Sequence, residues 1–354
     1  MNIDMEVVRS FAERRYGALE RMTAKRLSGG LDSFGVYRID VKFAKGDTAR
    51  TAQFVAKHLP ESGMREADVY RLVAASPASL FAPRLLGTAG GSRDMYLFLQ
   101  WIAPNRQWPW RDRNATLAVL RQLAQLHSQP LTGFGGVSVN PSFEAEMHNS
   151  AASTAELYSR AFHRRRGTGL RPMRSAMRRI AGDLVSIRRH LIQETGAAPL
   201  HGDMHSGNVI IRTRKRRTDA MLLDWGRARV GSPLEDVASW LHSLGYWEPE
   251  VKRSHDSFIR HYLECAGRPH LLSRDVRRLL WLASASNAMA GALQYHLETM
   301  LDPAVPPHVR ESSAGVARDW LRIIRRADHY WRLGDAPGHR TAPRRSGSRR
   351  SVTP

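Results

Sequence analysis

The sequence is poor in cysteine, in lysine and in acid. A single cysteine, Cys265, in 354 residues rules out an intramolecular disulfide and a cysteine-based zinc site, and fits a reducing cytoplasm. Long hydrophobic runs are also missing. The most apolar late stretch, Leu279 to Leu293, is broken by Ser284, Ser286 and Asn287, short of the roughly 18 apolar residues a membrane span needs. The first residues, MNIDMEVVRSFAERRYG, mix acids and arginines among apolar positions, the pattern of an amphipathic helix rather than of a basic-then-apolar leader. No internal repeat is present. A cytoplasmic protein with no membrane span is expected, and its 42% hydrophobic content is ordinary for a globular chain.

The shortage of acid leaves a formal charge of +21. Arginine supplies most of it, and it clusters: Asp183 is the one acid between Arg160 and Arg189, a run spans Arg212 to Arg217, and the last residues hold Arg344, Arg345, Arg349 and Arg350. Such patches attract phosphates, nucleic acid or anionic lipid. Solvated faces and a loose tail are the simpler reading, and it is preferred over a nucleic-acid partner.

Hydrophobic periodicity divides the chain. An N-terminal helix is expected within 1–25. Residues 26–103 read as a small β-rich lobe: strand, glycine turn and strand from Arg26 to Ile39, a strand TAQFVAKHL, a helix over about 65–75, and a buried strand MYLFLQWI. From 104 to 333 the pattern is mostly helical, interrupted by two short strands, NVIIR and AMLLDW. Beyond Gly334 the Pro-, Gly-, Ser- and Arg-rich sequence predicts a basic disordered tail.

The chemistry-bearing stretch is His201-Gly202-Asp203-Met204-His205-Ser206-Gly207-Asn208, followed by Leu222-Leu223-Asp224-Trp225-Gly226. Phosphoryl transfer from ATP requires a metal ion to neutralise charge and a carboxylate to orient the attacking hydroxyl. Protein kinases place that carboxylate five positions before a metal-binding asparagine, the spacing of Asp203 and Asn208, and a second metal-binding aspartate follows a short hairpin, as Asp224 does. The paired motif resembles the aminoglycoside phosphotransferase family, with its choline-kinase-like members, within the protein-kinase-like superfamily.

That resemblance implies an α+β, bilobal kinase-like fold with a small β-rich N-lobe and a larger helical C-lobe. It makes Asp203 the catalytic base or hydroxyl-orienting residue, and Asn208 and Asp224 the ligands of Mg²⁺. His201, His205 and Asp236 become supports of the loop. Upstream, Gly29, Gly30 and Ser33 lie in a turn whose backbone N–H groups would cover the ATP phosphates. Lys57 resembles the strand lysine that contacts them, and Glu66 the helix glutamate that pairs with it, over a gap of nine residues that is shorter than in protein kinases. Leu99 and Trp101 fall where a hinge would meet adenine. Gly202 replaces the arginine of the protein-kinase loop, and Gly231 follows Asp224 too closely for a long activation segment. Both departures imply a small-molecule hydroxyl acceptor. The competing reading is a non-catalytic kinase-like protein that uses its basic patches to bind nucleic acid or an acidic partner.

Overall fold

A computed structural model describes residues 3–27, 33–45, 48–91, 93–131, 141–163, 171–214, 217–272 and 275–333. The expected disordered tail, 334–354, lies outside them, as do Gly29 and Gly30 of the glycine turn. The chain opens with α1 (Met5–Tyr16), started by Asp4, whose carboxylate accepts from the N–H groups of Glu6 and Val7 at 2.9 and 3.3 Å. The helix stops at Gly17, whose φ of +93° favours glycine.

Strand β1 (Leu19–Arg26) therefore occupies a segment expected within the helical N-terminus. It is followed by β2 (Gly35–Lys45), β3 (Thr48–Pro60), α2 (Arg65–Ala74), β4 (Leu85–Gly90) and β5 (Asp94–Gln100). The strands form one antiparallel sheet in the order β1-β2-β3-β5-β4. The first edge strand ends at Arg26, where the sequence pattern places the start of a strand, and β4 has no counterpart among the expected strands. β1, LERMTAKR, carries mostly exposed polar residues, and β4, LLGTAG, is short and glycine-rich.

Strand alternation gives this sheet two faces. Ile39, Phe54, Tyr96 and Phe98 point to one side and pack on Val8, Phe11 and Ala12 of α1, with the Phe11 ring stacked on Phe98 at 3.7 Å between centroids. The other face carries Val55, Lys57, Leu97 and Leu99, fixed by the pairing of Val55 with Leu99 and Lys57 with Leu97.

The helical portion begins with α3 (Arg113–His127), α4 (Pro141–His163), α5 (Arg171–Gly182) and α6 (Leu184–Thr195). Four short strands follow: β6 (Ala198–Leu200), β7 (Val209–Arg214), β8 (Arg217–Leu222) and β9 (Arg229–Gly231), with β6 paired to β9 and β7 to β8. The chain then runs through α7 (Pro233–Trp247), α8 (Glu250–Arg253), α9 (His255–Cys265), α10 (Asp275–Asn287), α11 (Leu293–Leu301) and α12 (Pro307–Arg332). Between α10 and α11 the helical path passes through a wide turn at Ala288–Ala292, where Gly291 takes φ +141°. The fold is thus mixed α+β, as expected, with its large sheet in the N-terminal part.

Two compact units result. One comprises Met1–Phe143 with Thr195–Asp275, the other Glu144–Glu194 with Val276–Pro354. Within the second, Arg179 forks onto Asp328 at 2.7 and 2.8 Å, and the Trp331 indole donates to Asp183 at 2.9 Å, tying α12 to the α5–α6 corner. Among the described residues no helix is long and apolar enough to cross a membrane.

Candidate active site

Every described candidate site residue falls in the first unit. Lys57 lies near the end of β3, on the sheet face opposite α1. A short turn, Glu61–Gly63, leads directly into α2 at Arg65, so Glu66 stands in the first turn of that helix. Despite the gap of nine residues, Lys57 Nζ reaches Glu66 Oε2 at 2.7 Å and Asp224 Oδ1 at 2.9 Å. The Lys57 and Glu66 side chains are 8% and 5% exposed, against 38% for Asp224, so Asp224 is the member of the trio that faces solvent. Burial works against the Lys57 ammonium, but Glu66 and Asp224 outweigh it and hold its pKa above the ordinary lysine value.

The β7–β8 hairpin delivers the next pair. Val209 stands opposite Leu222, and the Leu223 N–H donates to the Asn208 carbonyl at 2.8 Å, which brings Asn208 beside the Leu223–Asp224 segment. The strand ends at Leu222, two residues before the aspartate. Asp224 itself adopts a left-handed backbone, φ +61° and ψ +72°, and is the one non-glycine residue among those described with a positive φ. Such a conformation costs about 1–3 kcal/mol and persists where the surroundings over-determine it. Here the buried Trp225 anchors the turn, its indole donating to the Leu222 carbonyl at 2.9 Å. Arg65 clamps the far side, donating to the carbonyls of Gly226 at 3.1 Å and Ala228 at 2.7 Å.

Asp203 is held by its own loop. Asn208 Nδ2 donates to the Asp203 carbonyl at 3.0 Å and to its Oδ2 at 3.1 Å. His205 Nδ1 accepts from the Gly207 N–H at 3.1 Å, which leaves His205 Nε2 facing Asp203 Oδ2 at 3.6 Å. Burial pushes the Asp203 carboxyl upward, but His205, with Arg227, holds it below the usual carboxylate range. It is therefore ionised at neutral pH, with 39% of its side chain exposed.

Beneath this loop lies a buried hydrogen-bond network. Asp236, at the start of α7, accepts from the N–H of His201 through Oδ2 at 2.7 Å and of Gly202 through Oδ1 at 2.9 Å. His127 at the end of α3 contacts Asp236 Oδ2 through Nε2 at 3.2 Å, and its Nδ1 meets the Tyr262 hydroxyl at 2.8 Å. His201 donates from Nε2 to the Leu223 carbonyl at 2.8 Å and accepts the Asp203 N–H at Nδ1, 3.3 Å away. The imidazole is thus a neutral strut between the two motifs, and burial lowers its pKa. Gly202 takes φ +85°, and a Cβ there would collide with the Arg227 carbonyl and the Arg229 guanidinium. Arg229 donates to the Gly202 carbonyl at 3.1 Å and lies 3.5 Å from Glu235, so Gly202 is held through both its N–H and its carbonyl.

The remaining sequence candidates stand around this cluster. Ser33 sits just before β2, where the neighbouring Phe34 N–H donates to the His58 carbonyl at 2.9 Å. Leu99 lies inside the ladder, opposite Val55 and Leu85, and shares the face of Lys57. Trp101 follows the end of β5 with the Arg38 guanidinium 5.5 Å from its ring. Arg65, His127, Arg229 and Tyr262 were not identified from sequence. Arg65 stands next to Glu66 in READ and had a local signal; the other three act across long sequence separations that no local pattern encodes.

The phosphotransferase enzyme family model matches residues 23–272. Among solved structures, a Plasmodium vivax ethanolamine kinase is similar at 12% identity and TM-score 0.57, over 87% of this chain and 83% of that one. A choline kinase from Cryptosporidium parvum Iowa II gives 10% identity and TM-score 0.56, over 94% and 98%. An amicoumacin kinase in complex with AMP-PNP, Ca²⁺ and Ami gives 14% identity and TM-score 0.57, over 92% and 93%. These likenesses establish a kinase-like fold. No curated protein matches the chain.

Proposed function

Because this chain belongs to the phosphotransferase enzyme family, we propose that it transfers the γ-phosphoryl group of ATP to a hydroxyl of a small molecule in a Mg²⁺-dependent reaction. The observation that carries the proposal is the convergence of Lys57, Glu66 and Asp224 within 2.9 Å, with Asn208 bonding Asp203 on the adjoining loop. A small acceptor is supported by the kinase-like neighbours, described as kinases of ethanolamine, choline and amicoumacin. The few residues between Asp224 and Gly231 also leave no long segment on which a protein substrate would dock.

Asn208 and Asp224 offer an amide and a carboxylate, hard oxygen donors that suit Mg²⁺. That ion commonly takes one or two protein ligands and completes its shell with phosphate oxygens and water. Among the described residues no group of three or more His, Cys, Asp or Glu is placed to hold a metal, so the ion would need the nucleotide to complete its site. When bound, it would neutralise phosphate charge. Lys57, fixed by Glu66, would add its ammonium to the phosphates, and the face bearing Val55, Leu97 and Leu99 would lie against the base.

Asp203 would accept the hydrogen bond of the acceptor hydroxyl and aim its oxygen at phosphorus. A carboxylate held so far below neutrality is a weak base, so it orients the hydroxyl and takes the proton late, in keeping with a loose transition state. A thermal-shift titration with ATP or GTP, with and without Mg²⁺, tests the nucleotide site. Stabilisation requiring both nucleotide and metal is expected for wild type and should be lost in Asp224→Ala. Equal shifts for the two proteins, or none at millimolar nucleotide, would contradict the assignment.

A further inference from the structure

The second unit carries a feature to which the proposed reaction assigns no role. α12 is strongly two-faced. Ala317, Trp320, Leu321, Ile324, Ala327 and Trp331 are buried, whereas Arg318, Arg322, Arg325, His329 and Arg332 are all exposed. Those five follow one another at steps of four, three, four and three residues, which on a helix is a single stripe about 21 Å long. A basic residue near a helix C-terminus has an ordinary explanation in the helix dipole, but that effect is confined to the last turn. Only His329 and Arg332 lie there; the other three need a different account.

The neighbourhood reinforces the stripe. The exposed Arg278 of α10 lies 5.8 Å from the Tyr330 ring, and Arg326 lies 4.6 Å from the Trp281 ring, so arginine and aromatic groups alternate along the α10–α12 seam. The nearby acids are few: Asp319 pairs with Arg322 at 2.8 Å, Asp328 is taken by Arg179, Asp183 accepts from the Trp331 indole, and Glu311 lies back toward the helix start. In sequence, the 21 residues after Leu333 add five arginines and one acid.

We propose that the α12 stripe, with Arg278 beside it, is a docking surface for the phosphate backbone of a nucleic-acid duplex. Charge complementarity selects a polyanion. An anionic membrane is the poorer match, because helices that lie on membranes bury an apolar face in them and the apolar face of α12 is already covered by its own unit. Contacts made by guanidinium groups alone are sequence-independent and release condensed counterions, so they have a measurable salt signature.

The test is fluorescence anisotropy of a labelled duplex of roughly 20 base pairs with the full-length protein, in salt from about 50 to about 200 mM. Four phosphate contacts correspond to a log–log slope near −3.6 and about a 10²-fold loss of affinity over that range. The triple variant Arg318→Glu, Arg322→Glu, Arg325→Glu should flatten the slope by about 2–3 units. A charge-matched control, Arg14→Glu, Arg21→Glu, Lys25→Glu on exposed positions of the first unit, should keep most of it. Circular dichroism confirms that each variant is folded, and the corresponding glutamine variants replace any that is not. Equal losses in both variants, salt-insensitive binding, or no binding would overturn the proposal. So would tighter association with phosphatidylserine vesicles that the stripe variant abolishes.

Discussion

Replacing Asp203 by asparagine is expected to lower turnover by about 10²- to 10⁴-fold, the usual contribution of a positioned proton acceptor. At 1.36 kcal/mol per factor of ten this is about 3–5 kcal/mol of transition-state stabilisation. The substitution is nearly isosteric. The main-chain bond from Asn208 Nδ2 to the carbonyl of residue 203, 3.0 Å in the native loop, does not involve the side chain, so the loop has reason to stay in place. What disappears is the negative charge that His205 and Arg227 hold ionised against the penalty of burial. The loss should therefore appear in kcat, with nucleotide affinity and melting temperature little changed. Turnover within a few-fold of wild type would remove Asp203 from the chemistry.

The largest expected effect on stability belongs to Asp236. Its carboxylate is 1% exposed and serves three partners at once: the N–H groups of His201 and Gly202, and His127. Asp236→Ala would leave those donors buried without an acceptor, and breaking a buried charged network in this way costs about 3–5 kcal/mol. Burial works against the ionised form, but His127, with Arg229, keeps the pKa below the ordinary value. The stabilisation is therefore present at neutral pH, above the unfolded carboxyl pKa, and is lost only as pH falls through the depressed value. Denaturant unfolding of Asp236→Ala at neutral pH checks the magnitude. A change under about 1 kcal/mol would mean that the loop is held by other contacts. Turnover should fall as well, because the same carboxylate fixes the two residues preceding Asp203.

The part of this site that was readable in the sequence is the part encoded locally. HGDMHSGN and LLDWG are each unbroken stretches, and the segment between them carries a hairpin that sets Asn208 beside the Leu223–Asp224 segment. Lys57 could be placed because it ends the apolar run Phe54-Val55-Ala56 and resembles the kinase strand lysine, and Glu66 because it resembles the helix glutamate that pairs with it. What was unreadable is built from distant segments. His127 is 109 residues from Asp236, and Tyr262 is 135 from His127. Each of these, viewed in its own helix, is an unremarkable core or end position. Arg229 looked like one more member of an arginine-rich chain, although it is 6% exposed and grips the Gly202 carbonyl.

The fold shows the same division. The central strands β2, β3 and β5 are apolar enough to declare themselves. The edges β1 and β4 are not, since one is polar and the other small, and both are strands because of their neighbours. Asp224 illustrates a further limit. The sequence places it at a strand end, whereas its left-handed backbone, which turns the chain away from β8, depends on the Trp225 anchor and the Arg65 clamp. Strain of this kind is stored by tertiary contacts and leaves little trace in local propensity.

The central claim is that this constellation moves phosphate from ATP to a small alcohol. The most direct measurement follows the label of γ-phosphate-labelled ATP across a panel of amino alcohols, sugars and hydroxylated antibiotics, with a generic protein substrate alongside, in Mg²⁺ and in chelator. The account predicts label on at least one small hydroxyl compound, in Mg²⁺ only, and abolished by Asp203→Asn. Transfer that survives chelation or the substitution, or label found on the protein substrate alone, would contradict it.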